Sequence, residues 1–276
     1  ASMAENTTSD RNSPPPPIEV RDLTMAYDER VIIRDMNFVV PAGEIFIVMG
    51  GSGCGKSTLL RHLIGLMAPA QGWVFRDGVD FWALSGAEQD RMKRRSGILF
   101  QGGALWSAMT LAENIALPLR EFTRYREKEI REICELKLSL VGLAGFGDYY
   151  PAAISGGMRK RASLARAMAL DPEVLFFDEP SAGLDPVSAR RLDELILALR
   201  ESLGATVVVI THDLASIFAI GGMAIFLDSG SKSIAARGRP RELLDQGSNP
   251  ALIDFLTRGE RHTKLPALRA DGSSKI

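Results

Sequence analysis

Cysteine is scarce: Cys54 and Cys134 are the two in 276 residues, far apart and in unlike settings. They build no disulfide framework, and the usage fits a reducing compartment. An excess of one charge is lacking too. Lys plus Arg number 33 and Asp plus Glu 34, for a net charge of −1. Such a chain offers no overall field to hold nucleic acid or an anionic membrane surface, and no nucleic-acid partner is expected. Nor is any apolar run long enough to span a bilayer. The nearest, Leu214 to Leu227, is fenced by Asp213 and Asp228 and broken by Ser216, Gly221 and Gly222. It predicts a helix followed by a buried strand. The opening residues lack the charged-then-apolar order of a secretion signal. What is present is 46% hydrophobic and 24% charged residues, enough for a sizeable core. The length suits one large domain, or one domain with a lobe and tails.

Residues 1–17 are polar and end in Pro14 to Pro17, which predicts a disordered or extended segment. Residues 18–40 alternate polar and apolar, as short antiparallel strands do. Ile45, Phe46, Ile47, Val48 and Met49 form a continuous apolar run, the mark of a strand covered on both faces. A Gly-rich turn follows, then a helix from Thr58 to Leu66. Ser85 with Glu88, and Thr110 with Glu113, have capping-box spacing. Ile130, Ile133, Cys134 and Val141 share one helical face, so a mostly helical lobe is expected over about 105–170. Strand-like runs return at Val174–Phe177 and Thr206–Ile210. Between them Asp185 and Pro186 open a helix that Gly204 stops. The pattern predicts an α/β core with a helical lobe. Residues 241–276 read as a C-terminal extension. Its apolar Leu252, Ile253, Phe255 and Leu256 are expected to dock on their own domain or on a second copy.

Gly50, Gly51, Ser52, Gly53, Cys54, Gly55, Lys56 and Ser57 match the P-loop pattern at every fixed position. They stand after a buried strand and before a helix, where the mechanism needs them. Glycines let the backbone wrap so that successive N–H groups meet phosphate oxygens. The helix N-terminus, opening toward Thr58, adds a positive end, Lys56 a point charge, and the Ser57 hydroxyl a ligand for Mg²⁺. Cys54 reads as a small residue filling the loop. Leu175, Phe176 and Phe177 lead into Asp178 and Glu179. A carboxylate at a strand tip beside a P-loop can hold the Mg²⁺ shell, which assigns Asp178 to the metal. The next residue points elsewhere and can polarise a water, which makes Glu179 the general base. His212 follows the second buried strand, on the edge where ligands bind in such sheets, and is assigned to the γ-phosphate.

A P-loop alone leaves kinases, GTPases and many ATPases open. Ile154, Ser155, Gly156, Gly157 and Met158, followed by a helix from Arg159 to Leu170, decide between them, because they resemble the signature motif of the ABC ATPases. The resemblance covers about residues 18–240. It implies a P-loop NTPase core with a mixed sheet, an antiparallel β subdomain and a helical signature-motif subdomain. It implies that Tyr27 stacks on adenine, and that Gln101 reaches Mg²⁺ and the attacking water. It further implies that Asp185 crosses the interface of a dimer, and that Ser155, Gly156 and Gly157 cover the γ-phosphate of ATP held by a second copy. The helix after Ser155 suits that task, since its N–H groups and positive end form a second anion site. One P-loop and one signature per chain imply two chains around two ATP molecules. One position departs from the usual pattern: Met158 stands where the signature has Gln, so a polar side-chain contact is lost.

Met158, the segment Phe100 to Leu105 and the segment Pro118 to Glu121 further resemble the Mla-type ATPases, which power phospholipid traffic between the two membranes of Gram-negative bacteria. That resemblance implies a subunit at the cytoplasmic face of the inner membrane, held there by an integral permease. A small regulatory subunit and a lipid-binding subunit are implied as further partners. The runner-up is the ATPase of an importer of small polar solutes. A ribosome- or DNA-directed ABC ATPase is disfavoured by the single ATPase domain, the lack of a long coiled-coil insertion and the near-zero charge.

Overall fold

The apolar run at 45–49 becomes the middle of a sheet, and its alternation sets the layering. The computed structural model describes residues 14–28, 30–247 and 249–259. The disorder expected for residues 1–13 lies outside the described residues. Pro14 to Pro17 have no regular structure and lead into β1 (Ile18–Tyr27), which pairs antiparallel with β2 (Arg30–Val40). Then come β3 (Ile45–Gly50), α1 (Lys56–Leu63), β4 (Gln71–Arg76), β5 (Val79–Asp80), α2 (Gly86–Arg94) and β6 (Ser96–Leu99). The lobe holds α3 (Leu111–Phe122), α4 (Glu127–Leu140) and α5 (Gly156–Ala167). The chain then runs through β7 (Val174–Asp178), α6 (Pro186–Leu203), β8 (Thr206–Thr211), α7 (Leu214–Ile220), β9 (Met223–Asp228) and β10 (Ser233–Gly238), closing with α8 (Pro240–Gln246) and α9 (Pro250–Leu256).

One sheet has the order β10-β9-β3-β8-β7-β6, parallel except for β10 at its edge. The other is antiparallel, in the order β2-β1-β4-β5. Side chains alternate across a strand. Ile45, Ile47 and Met49 therefore enter the core shared with α3 to α7, while Phe46 and Val48 face α1 and the antiparallel sheet. β7, β8 and β9 divide in the same way, with Phe177, Val209 and Phe226 on the first side and Phe176, Val208 and Ile225 on the second.

Several element limits differ from the sequence expectation. β1 and β2 are ten and eleven residues long rather than short. Register shifts, with Asp22 and Asp35 at φ 47° and 54°, interrupt the alternation and hide the length. The P-loop helix starts at Lys56 and ends at Leu63, because Gly65 at φ 72° turns the chain away. The signature helix covers 156–167 rather than 159–170. Ser155 caps it by accepting from the Met158 N–H at 3.2 Å, and that cap outweighs the poor helix propensity of Gly156 and Gly157. Both expected capping boxes form, at α2 and α3. Leu243, Leu252 and Leu256 join the core of their own domain, and Phe255 lies 5.3 Å from the Phe226 ring. Among the described residues, no helix is long and apolar enough to cross a membrane.

Candidate active site

The loop between β3 and α1 is built so that its backbone stays open on one side. A Cβ on Gly55 (φ 99°) would come within 2.9 Å of Ile32, and one on Gly50 within 2.6 Å of the Leu227 carbonyl, so the wall side admits only glycine. Gly51 and Gly53 face free space, which lets a ligand approach the main chain closely. Lys56 is buried and its ammonium donates to the Gly50 and Gly51 carbonyls, each at 2.9 Å, closing the loop on itself. Cys54 is buried as well, and burial pushes its thiol up, so it fills space rather than reacts.

A cleft of about 1190 Å³ opens at the loop, lined by Ser52 to Thr58 together with Tyr27, Gln101, Glu179 and His212. The strands deliver these groups to one edge because β3, β7 and β8 run parallel and end together. Tyr27, on β1, is half-exposed, and its hydroxyl accepts from Arg61 at 3.0 Å. Its hydrogen bond with Thr58 and the positive charge of Arg61 hold its pKa below the usual phenol value. Arg30 and Lys232 add positive charge to the same cleft.

Asp178 and Glu179 part company at the tip of β7. Burial raises the Asp178 pKa, the charge of Glu179 adds to the rise, and Lys56 and Lys160 oppose it. Its Oδ1 is buried with no hydrogen-bond partner. An unpaired carboxylate oxygen beside the P-loop lysine, with the Ser57 hydroxyl in the adjoining cleft, is the hard-oxygen donor set that suits Mg²⁺. Glu179 turns into the left-handed region at φ 47°, a conformation that costs about 1 kcal/mol for a residue with a Cβ. Its amide donates to the Ile210 carbonyl at 2.8 Å. Its Oε2 accepts from the Thr211 hydroxyl at 3.1 Å and the His212 amide at 3.3 Å, and its Oε1 lies 2.7 Å from His212 Nδ1. A carboxylate in that position fixes the proton on Nδ1 and leaves Nε2 of the half-exposed ring to face outward.

Four of the expected residues are not gathered here. Ser155, Gly156 and Gly157, at the start of α5, do not line the cleft. Asp185 caps α6, its Oδ1 accepting from the Val187 and Ser188 amides at 3.0 Å each. The two groups neighbour each other instead: a Cβ on Gly157 would meet Ser188 at 3.3 Å. Met158 packs against the core, so its side chain serves the lobe. Sequence reasoning missed Lys160 altogether. It is buried on α5, and burial lowers its pKa. Its ammonium donates to the Gln101 carbonyl, and to that of Glu179 at 3.4 Å. The available signal was a lysine on the face shared with the small residues Ser163 and Ala167. Thr211 was missed too, because a threonine ending a strand has no distinctive spacing.

A phosphate-cradling turn between a buried strand and a helix, with two acids and a histidine at the tips of neighbouring parallel strands, defines a P-loop nucleotide-binding protein. Residues 33–182 match the family model described as ABC transporter, and the chain belongs to that family. It is 40% identical over 243 residues to the intermembrane phospholipid transport system ATP-binding protein MlaF of Haemophilus influenzae, covering 88% of this chain and 90% of the relative. It is 41% identical over 240 residues to a probable ribonucleotide transport ATP-binding protein, mkl, of Mycobacterium tuberculosis, covering 87% of this chain. It spans 66% of that relative's length. Among solved structures, a dimeric post-hydrolysis form of the ATP-binding cassette MJ0796, bound to ADP and phosphate, superposes with a TM-score of 0.73. The identity there is 30%, over 80% of this chain and 98% of the other.

Proposed function

We propose that this chain is the ATP-hydrolysing subunit of an ABC transporter, with residues 18–240 as the ATPase domain, and that it powers movement of phospholipid between two membranes. The hydrolytic reading is carried by the fixed Glu179 carboxylate at the P-loop cleft. Three donors, two from His212 and one from Thr211, occupy most of its roughly four acceptor positions. One remains for the proton of an attacking water, which is the work of a general base. Gln101 orients that water, and His212 Nε2 meets the γ-phosphate. Gly50 to Ser57 and the N-terminus of α1 hold the phosphates, Lys56 adds its charge, and Tyr27 stacks on adenine. Ser57, Asp178 and Gln101 would hold Mg²⁺, which when bound neutralises charge on the phosphates. Ser155, Gly156 and Gly157 of a second copy close over the γ-phosphate, and Asp185 crosses to the other copy. The separation of these four from the cleft supports that division, as does the dimeric form of MJ0796.

The cargo reading rests on the likeness to MlaF, 40% identical over 90% of the relative. The chain would act at the cytoplasmic face of the inner membrane through an integral permease, with a small regulatory subunit and a lipid-binding subunit as further partners. Specificity then lies in the permease, since a motor need not touch cargo. The second reading, import of a polar solute, is favoured by the name of the mkl relative. The test compares outer-leaflet phospholipid in the outer membrane of a Glu179→Gln strain with that of wild type. Excess phospholipid and detergent sensitivity are expected. Equal content, together with lost uptake of a ribonucleotide, would favour the second reading.

A further inference from the structure

Helix α5 does more than present residues 155–157. Its inward face grips the loop after β6 by the main chain. Phe100 and Gly103 close a turn, the Gly103 amide donating to the Phe100 carbonyl at 2.8 Å. The Lys160 ammonium donates to the Gln101 carbonyl. Arg166, about two turns on, donates to the Gly103 carbonyl at 3.0 Å and to that of Ala104 at 2.5 Å. Ser163 lies between them, so close under Gly103 that an added Cβ would come within 2.6 Å of its hydroxyl. Lys160 also donates to the Glu179 carbonyl at 3.4 Å. Its one buried ammonium thus touches the backbone of both Gln101 and Glu179.

We propose that Lys160 is a positioning residue for hydrolysis: it sets Gln101 and Glu179 relative to each other and ties both to the helix whose first turn carries the signature. This rests on the hydrolytic reading of the site given above. The consequence is specific to the divided arrangement. The first turn of α5 would meet nucleotide held by the second copy, whereas Lys160, one turn further on, holds the water-handling residues of its own copy. A shift of α5 on closing over one nucleotide therefore moves the reacting end of the other site. A lysine placed here only to fill space would be replaceable by methionine, which keeps the stem, has no donors and leaves no buried charge unpaired. Positioning errors at a reacting centre instead reduce turnover steeply while leaving ground-state binding alone.

The test uses the full chain with Lys160→Met and Lys160→Arg. Lys160→Met should lower kcat about ten- to a hundred-fold, the range for losing a charge-assisted hydrogen bond. KM for ATP and affinity for ADP should stay within about twofold. Hydrogen exchange of amides 101–104 should quicken in the same variant, read without nucleotide. Lys160→Arg, which keeps donors on a long stem, should recover most of kcat and slow the exchange again. A wild-type kcat in Lys160→Met overturns the proposal. So does a loss in which kcat, affinity and melting temperature fall together and Lys160→Arg fails alike, since that is a packing role. A wild-type chain with no ATPase activity, or one indifferent to Glu179→Gln, would instead indict the hydrolytic reading, so the two failures are distinguishable.

Discussion

The P-loop cleft and the signature surface are built from the same kinds of parts, yet one is assembled within the chain and the other is not. Both put glycines at a helix N-terminus, at Gly50–Gly55 before α1 and at Gly156–Gly157 in the first turn of α5. In the cleft, α1 supplies a lysine and the ends of parallel strands supply a held glutamate and a histidine, with the unpaired Asp178 carboxylate at the tip of the same β7. At the signature surface Ser155 is exposed, Leu184, Ser188 and an Arg159 guanidinium that donates to the Ile154 carbonyl border the glycines, and Asp185 has its oxygen engaged by its own helix. A helix N-terminus without the buried P-loop lysine and the strand-tip acids and histidine is half a site. The difference teaches that a helix N-terminus becomes catalytic only in company, and on the proposed reading that company comes from a second chain.

Substitutions on the two sides should break this contrast in different ways. The largest effect is expected at Glu179. Glu179→Gln keeps the shape and removes the base, so phosphate release should fall roughly 10²- to 10⁴-fold. Nucleotide binding by calorimetry should persist, and ATP-bound dimers should accumulate in light scattering. Turnover at the wild-type rate would require another base. Next, Ser155→Arg should reduce hydrolysis by roughly 10²-fold or more, by blocking an oxygen and N–H groups aimed at charge. ADP affinity of the single chain should be unchanged, since Ser155 lies away from the cleft. A matching loss of ADP affinity would mean that the two regions act within one chain. Lys56→Ala is expected to weaken nucleotide binding about ten- to a hundred-fold, through loss of a charge-assisted bond. Unchanged affinity by calorimetry would remove Lys56 from the phosphate site.

The smallest effect concerns a buried acid between the two regions. Asp193, on α6, is pushed up to about 6 by burial, and neighbouring Asp213 and Glu194 add to the rise. Its Oδ2 accepts from the Ser216 hydroxyl at 3.0 Å, and its Oδ1 has no partner. The folded protein holds this proton more tightly than the unfolded chain does. Its contribution to stability is therefore complete below about pH 4 and is lost as pH rises through about 6. Asp193→Asn should stabilise the fold at pH 7.5 by about 1–2 kcal/mol and give no gain at pH 4. Urea unfolding at the two pH values measures the difference, and an equal gain at both would reject the assignment.

What the sequence revealed and what it hid follow from the same contrast. The P-loop and the Asp178–Glu179 pair were legible because their chemistry needs fixed residue types at fixed short spacings beside an apolar strand. The layering was legible because β3 has no polar face to show. The grip of Lys160 on Gln101 was not, since it joins residues 59 positions apart, and a lone lysine on a helix reads as solvated. β6 was hidden for a related reason. Four residues carry no period, and its Gly97 is there because the Ala167 carbonyl of α5 would lie 2.1 Å from a Cβ. The early start of α5 was hidden because a cap beats propensity only when its geometry is known. Met158 read as the loss of a polar side-chain contact, and its packing against the core was hidden because one methionine after a glycine pair carries no period.

The most direct measurement mixes two impaired chains, Lys56→Ala and Ser155→Arg. If each site joins the P-loop of one copy to the signature of the other, a mixed dimer has one site with both lesions and one with neither. Mixing should then restore ATP hydrolysis well above the sum of the two variants alone, rising with the product of their concentrations, with one nucleotide trapped per dimer when both also carry Glu179→Gln. Activity equal to the sum of the separate variants, with no trapped nucleotide, would contradict a site shared between two copies.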